Sequence, residues 1–357
     1  MNILEQIYEL DFGKVIFHER KITIDNKKVI LKGPPKSGKT YLIYDYLSQY
    51  KSTQYLYIDF ADYKNKKNEI TQYLNEFIEK NKIEVLVFEN FSFDIEIPNT
   101  VESVIITTDI DIKLDKYETI FLEGLDFEEY LLFDTKHQSS SNSFNSFLKY
   151  GNFPEIIEYS DSKKTTRNFE ICKLYCDDLV ELKILFILIK NTAEKKSIFQ
   201  LFNSLKKEIK ISKDRFYKTC EILEQNKVVF FCEKFEQPKA VKKIFIHNHA
   251  LLDIVSYDKN FNNLFKNMIY FELHKRYKNV YYLDYIDFYL KDEDEILLAI
   301  PFFNNMISAN IISKIIPIIE NYNVKVATIV TISIEQTIFI GEIEAQIVPF
   351  NSWAVSL

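Results

Sequence analysis

Gly33-Pro-Pro-Lys-Ser-Gly-Lys-Thr40 follows the apolar run Val29-Ile-Leu31 and precedes Tyr41-Leu-Ile-Tyr44. It satisfies every position of the pattern G-x-x-x-x-G-K-[ST] between an expected strand and an expected helix. The chemistry explains the spacing. Glycines let the backbone curl so that successive N–H groups point inward and cradle phosphates, and the helix that begins there adds the positive end of its dipole. Lys39 is placed to reach the outer phosphates and Thr40 to ligate Mg2+. Gly33, Pro34, Pro35, Lys36, Ser37, Gly38, Lys39 and Thr40 are therefore the expected binding residues for a nucleoside triphosphate. The chain has only 6 Gly and places two of them here.

Working outward, the order after Val29 reads strand, glycine loop, helix (40–49), strand (55–60), helix (68–81), strand (83–88) and strand (103–107). Residues 1–10 suggest a short helix, and 14–18 and 21–24 have strand character. Alternating strands and helices predict an α/β fold with a parallel sheet covered by helices on both faces, and near-continuous apolar strands fit that burial. Val85-Leu-Val-Phe88 ends in Glu89-Asn90. Glu89 suits the metal side, and Asn90 falls where a water-activating Glu is expected. An amide is no general base, so binding with slow or lost hydrolysis is expected; the alternatives are that Asn90 positions water or that another acid such as Asp94 serves. Thr107 and Thr108, at the next strand end, suit a sensor of the terminal phosphate. Between residues 21 and 166 there is no Arg, so no arginine finger is evident.

Beyond the acidic helix 127–133 comes a polar stretch, 137–143, read as an exposed loop. Helical patterns follow at 144–150 and 165–188. Then come helices near 183–190, 197–208 and 212–225, with Ser212 as N-cap, and strands near 228–235 and 241–247. Three helices and a hairpin describe a winged helix-turn-helix. Residues 260–357 read as a further α/β unit. Residues 183–245 carry 14 Lys and one Arg against seven acidic residues, or +8, while the whole chain is −7. Lys213, Arg215 and Lys218, with Lys242 and Lys243 in the wing, suit contact with a DNA backbone. The alternative is a solvated face of a packing domain. Cys172 and Cys176, four apart in a helical pattern, read as core residues, as do Cys220 and Cys232; His247 and His249 read as strand-end residues. No secretory signal and no run near the ~20 apolar residues of a membrane span is present, so a soluble, cytoplasmic protein is expected.

The series Gly33–Thr40, Val85–Asn90, Ile105-Ile-Thr-Thr108, Phe121-Leu-Glu-Gly-Leu-Asp-Phe-Glu-Glu-Tyr-Leu131 and Gly151-Asn-Phe-Pro154 resembles the AAA-type ATPases of bacteria and archaea in which the ATPase domain precedes a winged helix and a degenerate restriction-endonuclease-like domain. The resemblance implies ATP with Mg2+, Glu89 and Thr40 at the metal, and Glu89, Asn90 and Thr107 at the reacting end. It implies an ATPase core over 1–135, a helical extension over 136–180, a winged helix over 181–250 and a restriction-endonuclease-like domain over 251–357. Departures are Glu89-Asn90 where the family commonly has Asp-Glu, and His247 and His249 where it has Asp and Gly. In the last domain Glu272 and Asp287 match acidic positions, but the strand expected to end in Glu-x-Lys reads Leu297-Leu-Ala-Ile-Pro301, so nuclease chemistry is not expected. The implied function is a nucleotide-dependent switch with weak or absent hydrolysis, compatible with a homo-oligomer; the competing reading is a non-hydrolysing scaffold.

Overall fold

Five short runs rich in β-branched and aromatic residues build the first sheet. Lys28–Lys32 (β1), Tyr55–Asp59 (β2), Val85–Glu89 (β3), Ser103–Thr107 (β4) and Glu118–Phe121 (β5) lie in the order β2-β3-β4-β1-β5. All four pairings are parallel. Side chains alternate strictly between the two faces. Odd-numbered Leu31, Tyr57, Val87 and Ile105 pack with Leu42, Ile43 and Leu47 of α2 (Lys39–Leu47). Even-numbered Leu56, Ile58, Leu86 and Ile106 pack with α1 (Ile3–Tyr8) and α3 (Lys67–Asn81). Helices thus cover both faces, and the odd-numbered side chains of β1, β2, β3 and β4 point to the α2 side.

The computed structural model describes all residues except 1, 2, 9, 13, 14, 16, 138, 257–259 and 357, and the side chains of 305–311 are not described. Two compact units are present, Met1–Glu123 and Gly124–Leu357. Of the strand expected at 14–18, residues 14 and 16 lie outside the described set; Lys21–Ile24 forms no strand. β5 was not foreseen, and it borders β1 on the side away from β4.

In the second unit the chain runs α4 (Phe127–Phe133), α5 (Ser140–Tyr150), α6 (Pro154–Glu158), α7 (Asp161–Lys173), α8 (Leu179–Lys190), α9 (Ile198–Lys206), α10 (Lys213–Gln225), β6 (Val229–Lys234), β7 (Lys243–Ile246), α11 (Leu252–Val255), α12 (Phe261–Arg276), β8 (Tyr281–Leu283), β9 (Ile286–Leu290), β10 (Glu295–Ala299), α13 (Asn305–Tyr322), β11 (Val326–Thr331), β12 (Gln336–Ile340), β13 (Ile343–Pro349) and α14 (Phe350–Ser356). An eight-stranded sheet has the order β12-β13-β11-β10-β9-β8-β6-β7.

Several local expectations change for physical reasons. The helix expected over 165–188 is two helices, because Asp178 caps a new start by accepting from Val180 and Glu181 N–H. Cys176 consequently lies beyond the end of α7, although Cys172 and Cys176 still meet one apolar cluster. Burial pushes both thiols up to about 12. The polar stretch after His137 becomes helical at Ser140, with Ser139 as its cap. β7 ends at Ile246, and Asn248 caps a 3-10 turn over His249–Leu251, so the two histidines do not alternate along a strand.

The glycine motifs of this unit close tertiary contacts. A Cβ on Gly124 would sit 2.7 Å from Asn152 Nδ2, and one on Gly151, where φ is 83°, would sit 2.0 Å from Asn248 Oδ1. Asn152 in turn accepts Leu125 N–H at its carbonyl and donates its side-chain amide to His247 O, both at 2.9 Å.

Candidate nucleotide site

The loop between β1 and α2 turns through three residues of positive φ: Gly33 (146°), Lys36 (67°) and Gly38 (102°). Gly33 is required twice over, since a Cβ there would lie 2.0 Å from the carbonyl oxygen of Leu122 just after β5. Arg20 braces the same turn, donating to Ser37 O and Glu123 O, both at 2.9 Å. Its guanidinium joins one carbonyl of the loop to one just beyond β5.

Gly38 caps α2 in the left-handed region, and Lys39 and Thr40 open the helix. The Lys39 ammonium folds back to donate to Gly33 O (2.6 Å) and Pro34 O (3.1 Å). Burial lowers its pKa, while the Asp109 and Glu89 carboxylates pull it up. Ser37 Oγ is buried with no hydrogen-bond partner among the described residues. The Thr40 hydroxyl donates to one Glu89 oxygen and the Tyr57 hydroxyl to the other. Burial and then the Glu89 charge raise the Tyr57 pKa, and Tyr44 hydrogen-bonds to Tyr57 behind it.

Strand parity explains this meeting. Tyr57, Asp59, Glu89 and Thr107 are odd-numbered, so all four face α2, the last three at the ends of adjacent strands. Asn90 follows with φ 55°. Its backbone N–H donates to Thr107 Oγ1 (2.9 Å) and its side-chain amide to Asp59 Oδ1 (2.8 Å). Phe91 N–H reaches Thr107 O at 2.8 Å, and the Thr108 hydroxyl accepts from Ile110 N–H at 3.1 Å. The structure therefore joins Thr40 with Glu89, and Asn90 with Thr107. Asp94 is bound to Lys67 (2.5 Å) and Ser92 instead, and the Lys67 contact lowers its pKa. Tyr57, Asp59 and Arg20 were not singled out from sequence; the period of two along 55–59 was the available signal for the first two.

The donor set fits a triphosphate with Mg2+. It offers an ammonium, an orphaned buried hydroxyl, a helix N-terminus and hard oxygens on Thr40 and Glu89.

In the second unit, three of the five cations expected to meet DNA, Arg215, Lys242 and Lys243, have acidic partners. Arg215 pairs with Asp178 and Lys242 with Glu233 (2.7 Å). Lys243, with a side chain only 8% exposed, lies 3.5 Å from Asp287. Lys213 projects over the rings of Phe199 and Tyr217. Asp287 also accepts from Lys266 (2.7 Å) and from Ala299 N–H (3.1 Å). Asp287 is thus held between two ammonium groups. Glu272 is engaged elsewhere, accepting Phe127 N–H at 2.8 Å.

Among the described residues no helix is long and apolar enough to cross a membrane. A family model described as an AAA domain matches residues 25–112. The chain is 25% identical over 423 aligned residues to an uncharacterized protein, MJ1544, of Methanocaldococcus jannaschii, covering 99% of this chain and 94% of that one. It also resembles the structure of the Walker-type ATPase of Pyrococcus abyssi, with 13% identity and a TM-score of 0.42, over 65% of this chain and 91% of that one. The AAA-domain match falls on the phosphate loop and the strands around it, and with the parallel sheet it supports a nucleotide-binding protein of the P-loop, AAA type.

Proposed function

We propose that this chain binds ATP with Mg2+ at Gly33–Thr40 and acts as a nucleotide-dependent switch with slow turnover. The observation that carries this reading is the contact of Thr40 with Glu89, made where α2 begins and β3 ends. It brings two hard side-chain oxygens from separate elements together beside an amide-lined loop, as a Mg2+ site would need. Mg2+, when bound, neutralises phosphate charge there. Lys39 would exchange two backbone carbonyls for phosphate oxygens, and Ser37 Oγ would gain a partner. Thr107, through Asn90 N–H, ties the end of β4 to the end of β3, so a contact at the terminal phosphate would be felt at both strand ends.

Slow turnover is favoured because Asn90 carries no ionisable group at the position next to Glu89. The scaffold reading differs only in having no turnover. The proposed organisation of the second unit is a helical extension, a winged-helix module over α8–α10 with β6 and β7, and a restriction-endonuclease-like sheet without nuclease chemistry. The ion pairs of Arg215, Lys242 and Lys243 favour packing over DNA contact for that module.

Calorimetric titration with ATP, ADP and GTP, with and without Mg2+, tests the proposal beside a Lys39→Ala control. Each charge-assisted contact that Lys39 makes to phosphate is worth about 1.5–3 kcal/mol. The variant should therefore bind at least roughly tenfold more weakly. Absence of binding heat for all three nucleotides at millimolar concentration would reject the reading.

A further inference from the structure

We propose that Asp59 is the carboxylate that accepts the proton of the water attacking bound nucleotide, with Asn90 holding that water beside it. This rests on the nucleotide reading above and names a catalytic residue that the Glu89-Asn90 pair does not supply.

Asp59 is the last residue of β2 and pairs in register with Glu89. Adjacent strands lie about 4.8 Å apart, and both residues are odd-numbered, so both side chains leave the sheet toward α2. The Asn90 amide is anchored to Asp59 Oδ1 at 2.8 Å. A carboxylate only accepts, so this contact fixes Nδ2 toward Asp59 and leaves Asn90 Oδ1 as the outward acceptor. Asp59 Oδ1 also takes Ala61 N–H at 2.9 Å, and the Asp59 carbonyl takes the Asn65 amide at 2.7 Å, which fixes the turn that carries it. Among the described residues Asp59 Oδ2 and Asn90 Oδ1 have no hydrogen-bond partner. They offer two acceptors on the strand ends that carry Glu89 and its register partner, which is what a water molecule with two protons requires. Tyr44, whose pKa is raised first by burial, also senses the charges of both Glu89 and Asp59, which places the two carboxylates in one neighbourhood. Asp94, the other nearby acid, is held by Lys67 and Ser92.

The step balances without a further reagent. An O–H bond of water breaks and its proton passes to Asp59. The water oxygen bonds to the terminal phosphorus as the bond from that phosphorus to the bridging oxygen breaks. The bridging oxygen leaves as an anion on the diphosphate, and Asp59 returns its proton to solvent.

The test uses the full chain with Mg2+-ATP and measures phosphate release over hours, ATP affinity by calorimetry, and the urea midpoint. Asp59→Asn keeps the Oδ1 acceptor and so preserves the turn. It should lower phosphate release at least about tenfold, to the level of Lys39→Ala, since general-base catalysis is typically worth roughly 100-fold or more. Its ATP affinity should stay within about threefold of wild type, unlike Lys39→Ala, and its urea midpoint should not move. Asp59→Asn/Asn90→Asp, which moves the acid across the pair, should regain part of the rate, and Asp94→Asn should leave the rate unchanged. Wild-type release in Asp59→Asn overturns the assignment. So does a loss of rate in Asp109→Asn but not in Asp59→Asn, or a fall in affinity that parallels the fall in rate. Wild-type protein that binds ATP yet releases no more phosphate than Lys39→Ala overturns the assignment and leaves nucleotide binding intact. Failure to bind any nucleotide removes both.

Discussion

Replacing Glu272 with Gln should flatten the pH dependence of stability in the second unit. Glu272 extends from α12 into a fully buried position, where one oxygen accepts Phe127 N–H and the other has no partner among the described residues. Burial first, and the Asp126 carboxylate second, raise its pKa from 4.5 to about 8, against the opposing pull of Lys275 and Arg276. The folded unit therefore holds a proton that the unfolded chain releases between these two values. A group raised in this way contributes its full stabilisation below pH 4.5 and loses it as pH rises toward 8. The slope is on the order of 1.4 kcal/mol per pH unit, so roughly 3 kcal/mol of that contribution is gone by pH 7. Gln retains the carbonyl acceptor for Phe127 N–H but cannot ionise. The assay is urea unfolding at several pH values from 5 to 8, followed by fluorescence. The chain's one Trp, Trp353, packs on Phe350 in the same apolar cluster as Phe127, so it reports this unit. His249, buried and lowered to about 4, imposes an opposite slope at acid pH in both proteins, and it cancels in the difference. Wild type and Glu272→Gln should be alike near pH 5 and diverge as pH rises, the variant becoming the more stable of the two. Parallel stability curves would refute the reasoning, because Glu272 would then be ionised in the folded unit.

Gly33→Ala should abolish nucleotide binding and destabilise the first unit by about 3 kcal/mol or more, because its Cβ would lie 2.0 Å from a Leu122 carbonyl whose own N–H is fixed to Lys32 O at 2.8 Å. Circular dichroism in urea and calorimetry with ATP check both parts, and wild-type values in either contradict the close approach. Tyr57→Phe removes the donor to the buried Glu89 carboxylate. It should cost about 1.5–3 kcal/mol of stability in the absence of nucleotide, and ATP-bound protein with Mg2+ should lose less, because Glu89 then has the metal as partner; equal losses in both states would argue against Glu89 at the metal.

The loop and its strand were legible in sequence because one motif encodes both backbone geometry and chemistry. Gly33 and Gly38 sit where positive φ is needed, and Lys39 and Thr40 begin the helix that follows. The central strands were legible because doubly covered strands read as apolar runs. β5 was not: Glu118-Thr-Ile-Phe121 is short and half exposed, so its burial carries no pattern. Arg20 was invisible for a different reason. Its acceptors are backbone carbonyls 17 and 103 positions away, and a carbonyl leaves no mark on residue identity. The basic segment 183–245 shows a third kind of limit. A charge count sees +8, but Arg215 and Lys243 meet Asp178 and Asp287, which lie outside the counted segment. Ion pairing across a fold is tertiary information, and a local sum cannot contain it.

The same limit applies to the reacting end of the nucleotide site. A linear motif assigns the metal ligand and the base to consecutive residues, so Asn90 after Glu89 reads as a missing base. A parallel sheet creates a second kind of neighbour. Asp59 is 31 positions from Asn90, yet register and parity bring its carboxylate to the Asn90 amide on the α2 side. The acid needed beside Glu89 can therefore come from across the sheet rather than along the chain, at the cost of one methylene of reach compared with a Glu at position 90. On the proposed reading, a base that is present but short of reach would make turnover slow without abolishing it, and the rate of Asp59→Glu is then the sharpest measure. If reach limits the step, that variant should exceed wild type while its ATP affinity stays constant; a rate that falls would show that the Asp59–Asn90 contact, rather than the length of the acid, sets the geometry.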